Sequence, residues 1–256
     1  MKNNVNLEDL ETAYSYKSNR QLKFTYFIFN ILQNQKLVKL LIAFTNGILK
    51  YNLPFKIFIK KTVFNVFCAG EDINDAFLKI KYLEKFKVKS VLDYVSEGEN
   101  NSESFDNNTN IIVSNIIRLG KECPGNYVSV KITGLENPKF LTYCNGMKFV
   151  NDLIILPRFD RLINRIDLIC KTAHASKVIV FIDAEDRCMQ DLFDEITETM
   201  MEKYNTEYAV VFNTLQMYLK DRLEYLNSLI ENANKQNYIP GIKLVRGAYV
   251  EKEREK

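Results

Sequence analysis

Gly241-Ile242-Lys243-Leu244-Val245-Arg246-Gly247-Ala248-Tyr249 is the stretch on which the reading of this chain turns. Ile242 to Val245 reads as a buried strand with two cations in or beside it. Gly247 breaks the strand, because glycine lets a backbone turn sharply or come close to a ligand, and Tyr249 follows the break. Two readings of the cations stay open. Lys243 and Arg246 can extend their stems to water, or they sit inside and require partners, since an unpaired buried charge is expensive. Several earlier segments end in the same way, with an apolar strand and then charged or polar residues at its C-terminal lip.

Working back from that strand, the pattern alternates. Lys89 to Tyr94 reads as a strand, followed by a helix over about 110–122. Strands at Tyr127–Ile132, Lys177–Ile182 and Tyr208–Phe212 alternate with helices over about 158–173, 189–204 and 215–234, the last leading into 241–246. Five strands alternating with helices of ordinary length predict parallel β/α units. No glycine-rich dinucleotide fingerprint follows any strand. A (β/α)8 TIM-barrel type, with about five units present, therefore fits better than a Rossmann sheet. Ser96 to Asn108 reads as a solvated acidic and Asn/Ser-rich loop. Leu135 to Leu156 is too long for a tight connection, and long loops after barrel strands tend to be functional. Gly70-Glu71-Asp72 opens a further helix through about Phe86. Before it, Asn6 is placed to cap a short helix, and helices over about 19–33 and 36–51 form an all-helical lead-in. The expected division is a helical region over 1–68 and a partial barrel over 69–256.

Composition bounds the function. The chain is 46% hydrophobic and 26% charged, which is globular rather than disordered. Cys68, Cys123, Cys144, Cys170 and Cys188 are an odd set without a Cys-x-x-Cys pair. They point to reduced thiols in a cytosol-like compartment, packed in apolar surroundings, and not to a disulfide frame or a zinc site. No secretory signal is visible, and no uncharged apolar run is long enough to predict a membrane span. The net charge is only +3, but no Asp or Glu lies between Thr12 and Gly70, where Lys17, Arg20, Lys23, Lys36, Lys39, Lys50, Lys56, Lys60 and Lys61 fall. That region reads either as a solvated basic face or as a surface drawn to an anionic membrane, at about 1 kcal/mol per basic residue near the lipid. Nucleic acid fits less well, because the aromatic residues follow apolar periodicity instead of being displayed with the cations. His174, the one histidine, reads as a helix-end residue and gives neither a Ser-His-Asp triad nor a His-rich metal site. Asp191, Asp194 and Glu195 read as a solvated helix face, so no metal is expected.

The strand ends carry the chemistry. They finish at Asp93-Tyr94, at Lys131 and Thr133, at Asp183-Ala184-Glu185-Asp186, at Asn213-Thr214 with Gln216 beyond, and at Lys243, Arg246 and Tyr249. Each alone has an ordinary explanation: Asp183 can cap the following helix, and Lys131 can pair with a neighbouring Asp. A ring of such groups at one mouth favours a site, since buried polar groups are costly unless used.

Ala69-Gly70-Glu71-Asp72, Val91-Leu92-Asp93-Tyr94, Val130-Lys131-Ile132-Thr133-Gly134-Leu135, Ile182-Asp183-Ala184-Glu185, Phe212-Asn213-Thr214-Leu215-Gln216-Met217-Tyr218-Leu219-Lys220 and Lys243-Leu244-Val245-Arg246-Gly247-Ala248-Tyr249 resemble, in order, the motifs of the proline dehydrogenase family. The Lys-Leu-Val-Arg form resembles its monofunctional, eukaryote-like branch. The resemblance implies noncovalent FAD in a (β/α)8 barrel, oxidation of L-proline to Δ1-pyrroline-5-carboxylate by hydride transfer to flavin N5, and a quinone as electron acceptor. By motif position, Lys131 resembles the lysine that helps hold the substrate carboxylate, Asp183 the acid that orders that pocket, and Tyr249 the aromatic wall of the proline site. Gln216 resembles the amide that bonds the flavin, Lys243 the cation near flavin N5, and Arg246 a contributor to FAD binding or local ion pairing. A quinone-coupled member is expected on the cytoplasmic side, peripheral to the membrane.

The sequence ends soon after the fifth strand, so an N-terminal portion of such an enzyme is expected. An alternative is an inactive fragment acting as a binding or scaffolding module. A barrel aldolase with Lys131 or Lys243 as a Schiff-base amine would explain the lysines, but not Gln216 with Asn213 or the Asp-Ala-Glu motif.

Overall fold

The computed structural model describes residues 8–50, 64–94, 101–145, 156–249 and 254. Asn6, and with it the expected first cap, lies outside them. The chain forms two compact units, Met1–Val88 and Lys89–Lys256.

The first unit is helical. Helix α1 (Leu10–Ala13) starts at Asp9, whose carboxylate accepts from Thr12 N at 3.0 Å. Helix α2 (Asn19–Leu32) opens with a capping box: Ser18 Oγ accepts from Gln21 N at 3.3 Å, and Gln21 Oε1 accepts from Ser18 N at 2.8 Å. That reciprocal pair satisfies two amides that a helix start otherwise leaves open. Helix α3 (Gln35–Lys50) is begun by Asn34, which accepts from Lys36 N and Leu37 N. Helix α4 (Ile73–Glu84) is capped by Asp72 through Asn74 N and Asp75 N, and buries Ala76, Phe77 and Ile80.

The second unit is built on a five-stranded parallel sheet in the order β1-β2-β3-β4-β5. The strands are β1 Val91–Asp93, β2 Tyr127–Val130, β3 Ile179–Ile182, β4 Val211–Gln216 and β5 Ile242–Val245. Sequential parallel neighbours require a crossover between each pair, and helices supply it. These are α5 (Ser102–Glu122), α6 (Pro138–Asn145) with α7 (Leu156–Ser176), α8 (Gln190–Tyr204) and α9 (Arg222–Gln236).

Alternate residues of a strand point to opposite faces, and the two faces differ. Val128, Val130, Val180, Ile182, Val211 and Leu215 are buried beneath the helices. Tyr127, Phe181 and Phe212 lie on the other face, Phe181 and Phe212 as register partners and Tyr127 diagonal to Phe181, and their rings follow one another at 5.4 and 5.5 Å between centroids. That inner face is the one a closed barrel would enclose. β1 and β5 form the edges of the described sheet, with Val91 50% and Leu244 60% exposed.

Three boundaries differ from the sequence reading. α5 begins at Ser102 inside the expected loop, because Asn101 caps it through Ser104 N at 2.8 Å and Phe105, Asn108 and Thr109 are buried. Asn108 looks like a loop residue but donates to Gly134 O at 2.9 Å in the interior. The long connection after β2 contains α6, with Pro138 at the first helical position, where its missing N–H is not needed. Glu136, just before α6, is buried and bonded to Arg158 at 2.6 Å, which anchors the segment. β4 runs to Gln216 and α9 starts only at Arg222. The apolar and polar residues of 211–216 pair with β5 instead of starting a helix, since Asn213 N donates to Gly241 O and Met217 N to Val245 O. Gly241 is needed there: a Cβ would strike Val211 O.

Candidate functional site

The inner face carries a line of alternating charge across the strand ends. Asp93 closes β1, Lys131 follows β2, Asp183 follows β3, and Lys243 is the second residue of β5. Lys131 Nζ donates to Asp93 Oδ2 at 2.7 Å and lies 3.6 Å from Asp183 Oδ2. Lys243 Nζ donates to Asp183 Oδ1 at 2.7 Å. Asp183 thus stands between two ammonium groups, one on each carboxylate oxygen. Lys243 also lies over the Phe181 ring, 5.2 Å from its centroid.

Burial alone would push the Lys131 ammonium toward neutrality. Its hydrogen bond to Asp93, with the charges of Asp93, Asp183 and Glu185, outweighs that and raises its pKa above the ordinary lysine value. A Schiff-base nucleophile needs the opposite shift, so the aldolase reading loses Lys131 as its amine.

A second layer holds the lip. Glu185 is buried and accepts from Thr133 N at 3.1 Å and from the Thr133 hydroxyl. Burial raises its pKa, opposed by the Thr133 bonds and by Lys131. Gln216 Nε2 donates to Glu185 O at 2.7 Å, and Gln216 Oε1 accepts from Ala248 N at 3.3 Å. The amide therefore ties the end of β3 to the turn after β5. In that turn Gly247 has φ +118, and a Cβ would run into the Tyr218 ring. Both facts demand glycine. Tyr218 N donates to Arg246 O at 3.1 Å, which continues the β4–β5 pairing past the strands.

Of the six residues singled out from the sequence, Lys131, Asp183 and Lys243 meet directly, and Gln216 joins them through Glu185. Arg246 is exposed beyond the end of β5, and Tyr249 is half-buried three residues on. Asp93 and Glu185 belong to the cluster but were noted only as strand-end residues. The signal for Asp93 lay in the ordinary explanation of Lys131, that it pairs with a neighbouring Asp; the pairing is real and is part of the site. Asn213, which the sequence reading grouped with Gln216, points to the helix side instead and bonds Asp194 and Tyr225. Asp194 is likewise buried and not on a solvated face. Cys123, Cys144 and Cys170 are packing residues, whereas Cys68 and Cys188 are exposed, unlike the expectation for all five. His174 lies in the last turn of α7, stacked on Tyr208 at 5.4 Å. Among the described residues no group of His, Cys, Asp and Glu is placed to hold a metal ion, and no helix is long and apolar enough to cross a membrane.

Comparison with known proteins adds a family to this geometry. The family model for proline dehydrogenase matches residues 76–256. Proline dehydrogenase 1, mitochondrial, of Dictyostelium discoideum is 29% identical over an alignment that covers 99% of this chain and 52% of that protein. The Drosophila melanogaster protein of the same name is 42% identical over 38% of this chain and 14% of its own length. In structure, the chain is similar to proline utilization A from Bdellovibrio bacteriovorus, inactivated by N-propargylglycine, with a TM-score of 0.66, 20% identity, and coverage of 95% of this chain and 26% of that one. The chain spans about half the length of the first of these relatives. The family match takes in every strand of the parallel sheet and all four charged groups of the inner face. By that match, this chain is a member of the proline dehydrogenase family.

Proposed function

We propose that residues 69–256 carry the substrate and flavin floor of an FAD-dependent proline dehydrogenase, which oxidises L-proline to Δ1-pyrroline-5-carboxylate and passes the electrons to a quinone. The observation that supports this best is the convergence of Lys131 and Lys243 on Asp183 at the C-terminal ends of parallel strands, the end of such sheets where sites are built.

The residues present fit a flavin. The inner face offers a cation held over an aromatic ring and a side-chain amide. FAD, when bound, supplies the acceptor for the hydride that leaves C5 of the proline ring. The chain's own residues bind and orient. Lys131, kept charged by Asp93, holds the substrate carboxylate. Asp183 sets the separation of the two ammonium groups. Lys243 places positive charge where electron density grows on reduction, and Gln216 presents an amide to the ring. Arg246 extends the positive lip for the cofactor, and Tyr249 supplies an aromatic wall. The mitochondrial names of the relatives and the basic stretch before Gly70 together support peripheral contact with an anionic membrane surface, where a quinone would be met.

The test is the visible spectrum of the purified chain after incubation with FAD and desalting, before and after anaerobic L-proline. A retained flavin band that bleaches with proline is the expected result; no retained flavin overturns the proposal for this chain. For the membrane, co-sedimentation with anionic vesicles should weaken when Lys36, Lys39, Lys50, Lys56, Lys60 and Lys61 are replaced together by Gln. Unchanged binding removes that part of the reading.

A further inference from the structure

Lys243 on β5 reaches Asp183 at the end of β3 by passing over β4, and the β4 residue beneath that bridge is Thr214. The register is explicit: Thr214 is the partner of Lys243, and Ile182 is the partner of Asn213, so Asp183 stands beside Thr214 on its other side. All three side chains lie on the inner face by strand alternation. Thr214 is only 3% exposed, and its hydroxyl has no hydrogen-bond partner among the described residues. Leaving a buried hydroxyl unpaired is costly, and an isosteric Val at this position would avoid it. Neighbouring parallel strands lie about 4.8 Å apart, so a modest rotation of either side chain brings the Thr214 hydroxyl to Asp183.

We propose that Thr214 is a positioning residue held in reserve. When a bound ligand draws the Lys243 ammonium away, the Thr214 O–H donates to the Asp183 oxygen that Lys243 has left. Asp183 keeps a partner on each oxygen, since the Lys131 ammonium stands 3.6 Å from the other one. The ion pair can therefore open without stranding a carboxylate, and Lys243 becomes available to the ligand. This rests on the proposed function only in what draws Lys243 away; the exchange of partners at Asp183 belongs to the chain itself.

The experiment is a double-mutant cycle on the ligand-free chain, read by thermal unfolding. Thr214→Val in the native background should leave the midpoint unchanged or raise it. In a Lys243→Met background Asp183 has already lost its Lys243 bond, so Thr214→Val should lower the midpoint by about 2–4 °C. Thr214→Ser should match the parent in both, and Ser129→Ala, on the same face but on β2, should act alike in both. Equal effects of Thr214→Val in the two backgrounds overturn the proposal, as does destabilisation in the native one, which would mean that the hydroxyl is already bonded. A second arm titrates FAD by fluorescence quenching. Thr214→Val should weaken binding about tenfold and Thr214→Ser should restore it; native-like affinity of Thr214→Val overturns the proposal. If the native chain takes up no FAD, the flavin reading falls, and the cycle alone still decides the exchange at Asp183.

Discussion

Asn213 and Thr214 are neighbours in β4, yet they serve two different polar clusters, because successive residues of a strand face opposite ways. Behind the sheet, Asn213 joins a buried network of ion pairs and hydrogen bonds around Asp194. Asp194 accepts from Arg222 at 2.6 Å and from Asn213 and Gln190 at 2.9 Å, and Tyr225 donates to Glu198 at 2.7 Å. Arg222 is also gripped by Asp221. Arg222 and Asp194 are 3% and 4% exposed. In front of the sheet, the Asp93–Lys131–Asp183–Lys243 line is part-exposed, and each ammonium has donors to spare. A buried ion pair with its carboxylate multiply bonded holds the fold. A half-open row of charges keeps hydrogen-bonding capacity that the fold does not use, which is what the proposed site requires.

That contrast can be broken, and the sharpest attempt is at the back. Arg222→Ala leaves Asp194 buried without its cation and should destabilise the chain by about 3–5 kcal/mol, measured by urea unfolding. A loss below about 1 kcal/mol would mean that the rear network is not the structural one.

Next in size is Gly247→Val. It forces a side chain into the Tyr218 ring at a positive φ and should destabilise by roughly 1–3 kcal/mol. It should also displace Gln216, so flavin retention should fall further than stability does. Equal retention would detach the turn from the front cluster.

Asp183→Asn at the front should cost less than about 1 kcal/mol of stability, as for part-exposed ion pairs. It should nonetheless lower proline-dependent flavin reduction at least tenfold, read by stopped-flow absorbance. A stability loss as large as that of Arg222→Ala would erase the distinction between the clusters.

The smallest effect is in pH. Lys131 has a pKa raised in the folded chain from its ordinary 10.5. Its stabilising contribution is therefore complete below about pH 10.5 and is lost as pH rises through the higher folded value. Lys131→Met should flatten that alkaline limb of the unfolding midpoint. An unaltered limb would show that Asp93 does not hold the charge.

Much of this was legible in the residues. The alternation of apolar runs and helical periods gave five strands and their parallel order, because a fully buried strand needs a continuous apolar stretch. The stretch from Gly241 to Tyr249 gave the strand, the break and the two cations. The legible part failed where a side chain's partner lies far along the chain. Asn101 and Asn108 look like loop residues until one caps α5 and the other meets Gly134 O. Asp194 looks like surface until Arg222, 28 residues later, covers it. Gln216 looks like the residue after a strand until β5 pairs with it.

Local sequence therefore determined which segments are strands and helices, where glycine is obligatory, and which strand ends carry charge, since these depend on backbone sterics and on apolar periods of a few residues. Tertiary structure alone decided which charges meet. Lys131 finds Asp93 38 residues back, and Lys243 finds Asp183 60 residues back. The parity of the pleat alone sends Asn213 into the core and Thr214 beneath the ion pair. Electrostatic pairing acts through space over a few ångströms, and only the register of the folded sheet brings those atoms that close.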